Sequence, residues 1–211
     1  MKIKICGIQS PEAAEWAVES GADMIGLVFA PSRRQLDAKK ARRIVDAVRG
    51  RIQCVGVFVN APAREVMDIY EAVGLDYVQL HGDESKGYVN TLGLPVIKAF
   101  SINQMSVREM FQYDADYILI DSPPGKYRGG SGHAFDWSAL DDSAIDKNKL
   151  ILAGGINSLN IRAAYESVAP AGVDISSGVE TGGKKDEKKI HELMEKMKGV
   201  DRNGKNLYTT E

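Results

Sequence analysis

The sequence predicts a single α/β domain built as a closed (βα)8 barrel, the TIM-barrel architecture. Three observations carry that reading. Eight short apolar, β-rich runs recur along the chain; helical patterns with start and stop signals lie between them; and successive runs begin roughly 19 to 33 residues apart, which suits one strand and one helix each. The chain has 211 residues, and α/β barrels commonly exceed about 200 residues undivided. A chain of this size buries about 70% of the surface that it exposes unfolded, enough for a core without a metal or disulfide staple.

The elements follow in order. Strands are expected at Ile3–Cys6, Met24–Phe29, Cys54–Val59, Tyr77–Leu80, Val96–Phe100, Tyr117–Ile120, Leu150–Ala153 and Val173–Ile175. Most are continuously apolar, as parallel strands covered on both faces are. Ser10-Pro11-Glu12 supplies a cap and an N1 proline for the first helix. Asp37 opens the second over AKKARRIVDAVR, Asn60 to Pro62 the third over AREVMDIYEAV, and Asn157-Ser158 one over LNIRAAYESV. Gly21, Gly50 and Gly74 stand where C′ glycines end helices. An open, doubly wound sheet shares this alternation; eight regular units favour closure, and no G-x-G-x-x-G follows the first strand. No linker or composition shift divides the chain, so residues 1–198 read as the barrel and 199–211 as a polar tail.

Composition narrows the function classes. Lys plus Arg number 27 against 29 for Asp plus Glu, a net charge of −2, which gives no electrostatic footprint for nucleic acid or an anionic membrane. No apolar stretch reaches a membrane span, and the opening MKIKICGIQSPEAAEW has too short an apolar run for a signal peptide. Only Cys6 and Cys54 are present, so no disulfide framework is expected. The expectation is a cytoplasmic protein.

In such a barrel the site lies at the C-terminal ends of the strands. Cys6 ends the first, Arg33 or Arg34 follows the second, His81 ends the fourth and Asp121 the sixth; Lys98, in the fifth, reads as a rim charge. Gly154-Gly155 ends the seventh strand, and Ser176-Ser177-Gly178 ends the eighth. Loops at those two places commonly bind phosphate, because glycines let backbone amides approach the oxygens and hydroxyls add donors. The alternative is that they are only tight turns. The longest connection, DSPPGKYRGGSGHAFDW, contains four glycines, and Gly129-Gly130-Ser131-Gly132 suits the hinge of a lid over 122–136 that brings Gly130 against a substrate. His133 and His191 read as surface residues, no Cys/His cluster has metal-ligand spacing, and Lys184 to Lys189 reads as the solvated start of the last helix.

Seven blocks in register carry a resemblance: KICGI at 4–8, GLVFAPSRRQL at 26–36, VGVFVN at 55–60, VQLHGDE at 78–84, LIDSPPGKYRGGSGHAFDW at 119–137, LAGGI at 152–156 and VDISSGVE at 173–180. Together they resemble the phosphoribosylanthranilate isomerases of tryptophan biosynthesis, from residue 2 to about 197. The resemblance implies a cofactor-free Amadori rearrangement of a phosphorylated aromatic substrate, with Cys6 as base and Asp121 as acid. It places the substrate carboxylate on Arg34, with Arg33 the other candidate, since a planar guanidinium matches a carboxylate bidentately. His81 either contacts substrate or is structural, and Asp174 either shapes the ring pocket or is a locally paired core carboxylate. Cys54 reads as core. Monomer and homodimer both remain open, as does a second, related isomerase activity. The rivals are another phosphate-binding barrel, such as indole-glycerol-phosphate synthase or a sugar-phosphate isomerase, and a non-catalytic anion-binding scaffold. Neither accounts for a first-strand cysteine paired with a sixth-strand aspartate.

Overall fold

The computed structural model describes residues 1–102, 104–121, 140 and 145–198. The expected lid over 122–136, with Gly130 and His133, and the tail over 199–211 lie outside these residues. Eight parallel strands, β1 (Lys2–Cys6), β2 (Met24–Val28), β3 (Gln53–Phe58), β4 (Tyr77–Leu80), β5 (Val96–Ser101), β6 (Tyr117–Asp121), β7 (Leu150–Ala153) and β8 (Gly172–Ile175), pair in sequence order. Lys4 of β1 is in register with both Met24 of β2 and Asp174 of β8, so the sheet closes and the open alternative falls away.

Around it lie α1 (Pro11–Glu19), α2 (Ala38–Val48), α3 (Ala63–Val73), α4 (Lys86–Leu92), α5 (Val107–Met110), α6 (Ile161–Val168) and α7 (Glu187–Glu195). Their ends follow local chemistry. Ser10 and Asp37 accept from the backbone N–H groups of Ala13 and Lys40, as N-caps do. Gly74 ends α3 in the left-handed conformation, where a Cβ would be strained. Three aspartates immediately before even-numbered strands clasp the strand before: Asp23, Asp76 and Asp116 accept from the N–H groups of Ile3, Cys54 and Val96 at 2.7–2.8 Å and donate back to the same residues' carbonyls. These clasps pin the N-terminal rim, opposite the site.

Side chains alternate across each strand, so closure sorts them into two cores. Outward residues such as Ile3, Ile5, Leu80 and Ile118 pack under the helices. Inward, Met24, Val55, Ile97, Ala99, Leu119, Ile151 and Ala153 form a separate apolar plug, packed below against Tyr77 and Tyr117, whose rings meet edge to face at 6.0 Å.

Three expectations need correction. The helix after β7 begins at Ile161 rather than after Ser158, because Asn157 and Asn160 first fold the chain into a turn, accepting from the N–H groups of Leu159 and Asn157. Lys184–Lys185 is not helical: it is β10, an antiparallel partner of β9 (Glu180–Thr181), and α7 starts after its cap Asp186. Lys98 is not a rim charge. It is buried on the outer face of β5, where its ammonium donates to Glu84 at 3.0 Å and to the carbonyls of Leu80, Gly82 and Ala99. Glu84 in turn accepts from the N–H groups of Asn60 and Gly82, so this pair ties the loops after β3 and β4 to β5.

Candidate active site

A cavity of about 480 Å³ opens at the C-terminal ends of the strands. Cys6, Arg34, His81, Asp121 and Asp174 line it, together with the two predicted phosphate loops through Gly154, Gly155, Ser176 and Ser177. Gly178 is absent from the lining. A Cβ there would collide with the carbonyl oxygen of Ile156, so its missing side chain lets the loops after β7 and β8 close on one another. Gly154 and Gly155 both have positive φ, of 91° and 67°, which turns the backbone at the end of β7.

Cys6 is the last residue of β1, and two glycines make room around it. A Cβ at Gly26 would lie 2.7 Å from the Cys6 sulfur and 3.1 Å from the Lys4 ammonium nitrogen. Gly7 turns the chain at φ +82°, and its bare face receives the stem of Arg34. Ser176 then ties the rim shut, its hydroxyl donating to the Cys6 carbonyl at 3.1 Å.

Glu180 gathers three cations. Arg34 meets it through Nε and Nη2 at 2.8 and 2.9 Å, Arg33 through Nη2 at 2.8 Å, and Lys185 at 2.8 Å. Burial pushes the Glu180 carboxyl up, but the hydrogen bonds from Arg34 and Lys185 outweigh it and hold the group at about 2. Of the two candidate arginines, Arg34 lines the cavity while Arg33 stays exposed. With one edge of its fork on Glu180, Arg34 keeps further N–H donors for a planar anion.

On the opposite wall Gln79, fully buried, pairs through Nε2 with His81 Nδ1 at 3.2 Å, and His81 Nε2 stands 3.7 Å from Asp121 Oδ2. Burial lowers the His81 pKa, favouring the neutral ring. The Gln79 amide donates to Nδ1, which assigns the ring proton to Nε2, facing Asp121. Gln79 Oε1 is the one buried side-chain oxygen or nitrogen without a partner among the described residues, and its residue lines the cavity.

The electrostatics separate two groups. Burial, then the charge of Asp174, raises the Asp121 carboxyl from 3.8 to about 6, which keeps a proton available near neutrality. Burial and Asp174 also push the Cys6 thiol above its ordinary value, against the opposing pull of Lys4 and Lys185. Cys54 is raised to about 12, first by burial and then by Asp76; it sits in the outer core, as expected. His191 is exposed on α7.

Reasoning from strand ends missed Lys4, Gln79, Glu180 and Lys185. Among the described residues no group of three or more His, Cys, Asp and Glu side chains is placed to hold a metal, and no helix is long and apolar enough to cross a membrane.

A model of the N-(5′-phosphoribosyl)anthranilate isomerase family matches residues 3–196. The N-(5′-phosphoribosyl)anthranilate isomerase of Oceanobacillus iheyensis is 50% identical over 202 residues, covering 95% of this chain and 98% of that one. Among solved structures, monomers generated from the dimeric Thermotoga maritima enzyme superpose with a TM-score of 0.81 at 36% identity, over 94% of this chain and 99% of that one. A phosphoribosylanthranilate isomerase in complex with reduced 1-(o-carboxyphenylamino)-1-deoxyribulose 5-phosphate gives 0.81 at 35% identity, with the same coverage. On the family match and these identities, carried by a closed barrel whose rim presents Cys6 and Asp121 to one cavity, the chain belongs to the phosphoribosylanthranilate isomerase family.

Proposed function

We propose that Cys6 and Asp121 are the base and the acid that convert N-(5′-phosphoribosyl)anthranilate into 1-(2-carboxyphenylamino)-1-deoxyribulose 5-phosphate. Protonated Asp121 gives its proton to the furanose oxygen as the C1–O bond breaks, and the nitrogen lone pair forms the C1=N bond of a Schiff base. The Cys6 thiolate removes the C2 proton. The electron pair forms C1=C2 and the C=N electrons return to nitrogen, leaving an enolamine. Transfer of the C2 hydroxyl proton away and of a proton onto C1 yields the ketone.

The observation that carries this reading is the Asp121 carboxyl at about 6, facing the same cavity as a strand-end cysteine. At pH 7 such a group is protonated in about a tenth of molecules, against about a thousandth for an ordinary aspartate. Arg34 would take the anthranilate carboxylate on its open donors. The loops at Gly154-Gly155 and Ser176-Ser177-Gly178 would take the phosphate, and His81 and Asp174 would contact the ribose and ring between them. The product analogue held by a related isomerase has this carboxylate and phosphate. Two free thiols suit a reducing cytoplasm, and the enzyme would act as a monomer or a homodimer.

The test is the decay of substrate fluorescence with the labile adduct generated in place. Cys6→Ala and Asp121→Asn should each lower kcat by at least about 100-fold while the fold is kept. Turnover near wild type in the Cys6 variant would sink the assignment.

A further inference from the structure

We propose that Lys4 is a positioning residue for this reaction: its ammonium, fixed by Asp174, stands against the Cys6 sulfur and favours the thiolate. The proposal rests on the reading of Cys6 as the base. Lys4 and Cys6 are two apart on β1, so both side chains enter the barrel on the same face. Lys4 is 1% exposed, and its Nζ lies 2.8 Å from Asp174 Oδ1. Gly26, the partner of Cys6 across the β1–β2 ladder, puts no side chain between the ammonium and the thiol: a Cβ there would lie 2.7 Å from the sulfur and 3.1 Å from the Lys4 nitrogen. The ammonium and the sulfur border the same methyl-sized slot.

A buried lysine is a costly way to fill a barrel, and the other interior positions of this layer show the cheaper one: Met24 and Val55 are apolar. The pair with Asp174 makes the charge tolerable, but a neutral pair of apolar residues would serve packing as well. What the lysine adds is a positive charge beside a sulfur that is otherwise pushed towards the thiol. The charged groups facing Cys6 are Lys4 from β1, Asp174 from β8, Lys185 from β10 and Arg34 from the loop after β2. All three cations are ion-paired, Arg34 and Lys185 with Glu180 and Lys4 with Asp174, but Lys4 is the one whose nitrogen borders the Gly26 slot together with the sulfur. Burial lowers the Lys4 pKa, but Asp174 and Cys6 outweigh it and raise the group, so the ammonium persists through neutral pH. When the thiolate takes the C2 proton, the Lys4–Asp174 pair remains balanced beside a neutral thiol.

The experiment titrates Cys6 in the full chain by its rate of alkylation with iodoacetamide, read on the Cys6 peptide so that Cys54 does not interfere. Lys4→Met should move the apparent thiol pKa up by about one unit or more, lower alkylation at neutral pH about tenfold, and lower kcat with KM within about twofold. Asp174→Asn should move the thiol pKa down, because it removes an anion and releases the ammonium to the sulfur. Opposite signs are the signature of a charge effect; general loosening of the barrel would move both variants the same way. An unmoved Lys4→Met profile, or changes of the same sign, overturns the proposal. Lys4→Gln gives the same reading if the methionine variant does not fold. Failure of the base assignment itself would appear separately, as turnover retained in Cys6→Ala.

Discussion

Asp121→Asn should make the folded protein more stable at neutral pH while removing its activity, and the gain should grow with pH in a defined window. The wild-type carboxyl has its pKa raised in the fold from 3.8 to about 6, first by burial and then by Asp174. A raised pKa means that the folded state binds this proton more tightly than the unfolded chain does. The stabilisation linked to it is therefore fully present below 3.8 and is lost as pH rises to about 6, above which the charged carboxylate weighs on the fold in full. At ~1.4 kcal/mol for each tenfold change in proton affinity, the rise from 3.8 to about 6 sets a ceiling of ~3 kcal/mol. The Asp121 side chain keeps 37% of its surface exposed, so solvent screening reduces this to ~1–2 kcal/mol. An asparagine has the same shape and no such titration. For a domain of this size, where 1 kcal/mol moves Tm by ~2–4 °C, the Asn-minus-Asp difference in Tm should rise by about 2–8 °C between pH 4 and pH 7.5. Differential scanning calorimetry at fixed ionic strength measures it. A difference that stays flat across that interval, or that turns against the asparagine as pH rises, would refute the reasoning and with it the strained carboxyl on which the acid role depends.

Three further outcomes follow from the ion pairs. Lys98→Met leaves Glu84 buried without its cation, which costs ~3–5 kcal/mol when one partner of such a pair is removed; Tm should fall by about 10 °C, and the double variant with Glu84→Gln should recover part of that. A Tm within about 2 °C of wild type would show that the pair is not holding those loops. Arg34→Ala should chiefly raise KM with a smaller effect on kcat, and Glu180→Gln should raise KM to a lesser degree by freeing the guanidinium that it orients. Steady-state kinetics decide both, and an unchanged KM in Arg34→Ala would move carboxylate recognition elsewhere.

The strands and their ends were legible because a barrel strand covered on both faces is an unbroken apolar run, and the residue closing that run stands at the rim. Cys6, His81 and Asp121 were located on that logic, and all three line the cavity. The helix caps at Ser10 and Asp37 were legible because capping is local chemistry, complete within three residues. Glu180 was not, because its role comes from arginines 146 and 147 positions away that only the closed barrel brings to it. The lysines after it were misread for a related reason: a run of Lys and Asp has the composition of a solvated helix start, yet the turn at Gly182-Gly183 folds Lys185 back under the site.

Lys4, Gln79 and Lys98 share a subtler cause. In a linear string, a polar residue within an apolar run is most simply a residue facing water. Closure removes the water from both faces, and which core each residue enters is decided by parity along its strand. Lys4 has the parity of Cys6, and Gln79 that of His81, so each lies directly beneath a rim residue, inside the barrel, where a buried charge or amide can act on the group above it. Lys98 has the opposite parity from Ile97 and Ala99, which are in the inner plug, so it faces the helices, and its charge serves the loops after β3 and β4. Two lysines that look alike in sequence are thus assigned different work by a change of one residue in strand phase. The same rule gives the site its depth: the cysteine and the imidazole at the rim each rest on a polar side chain one pleat below, and those two polar side chains are set level with Met24 and Ile97 of the apolar plug.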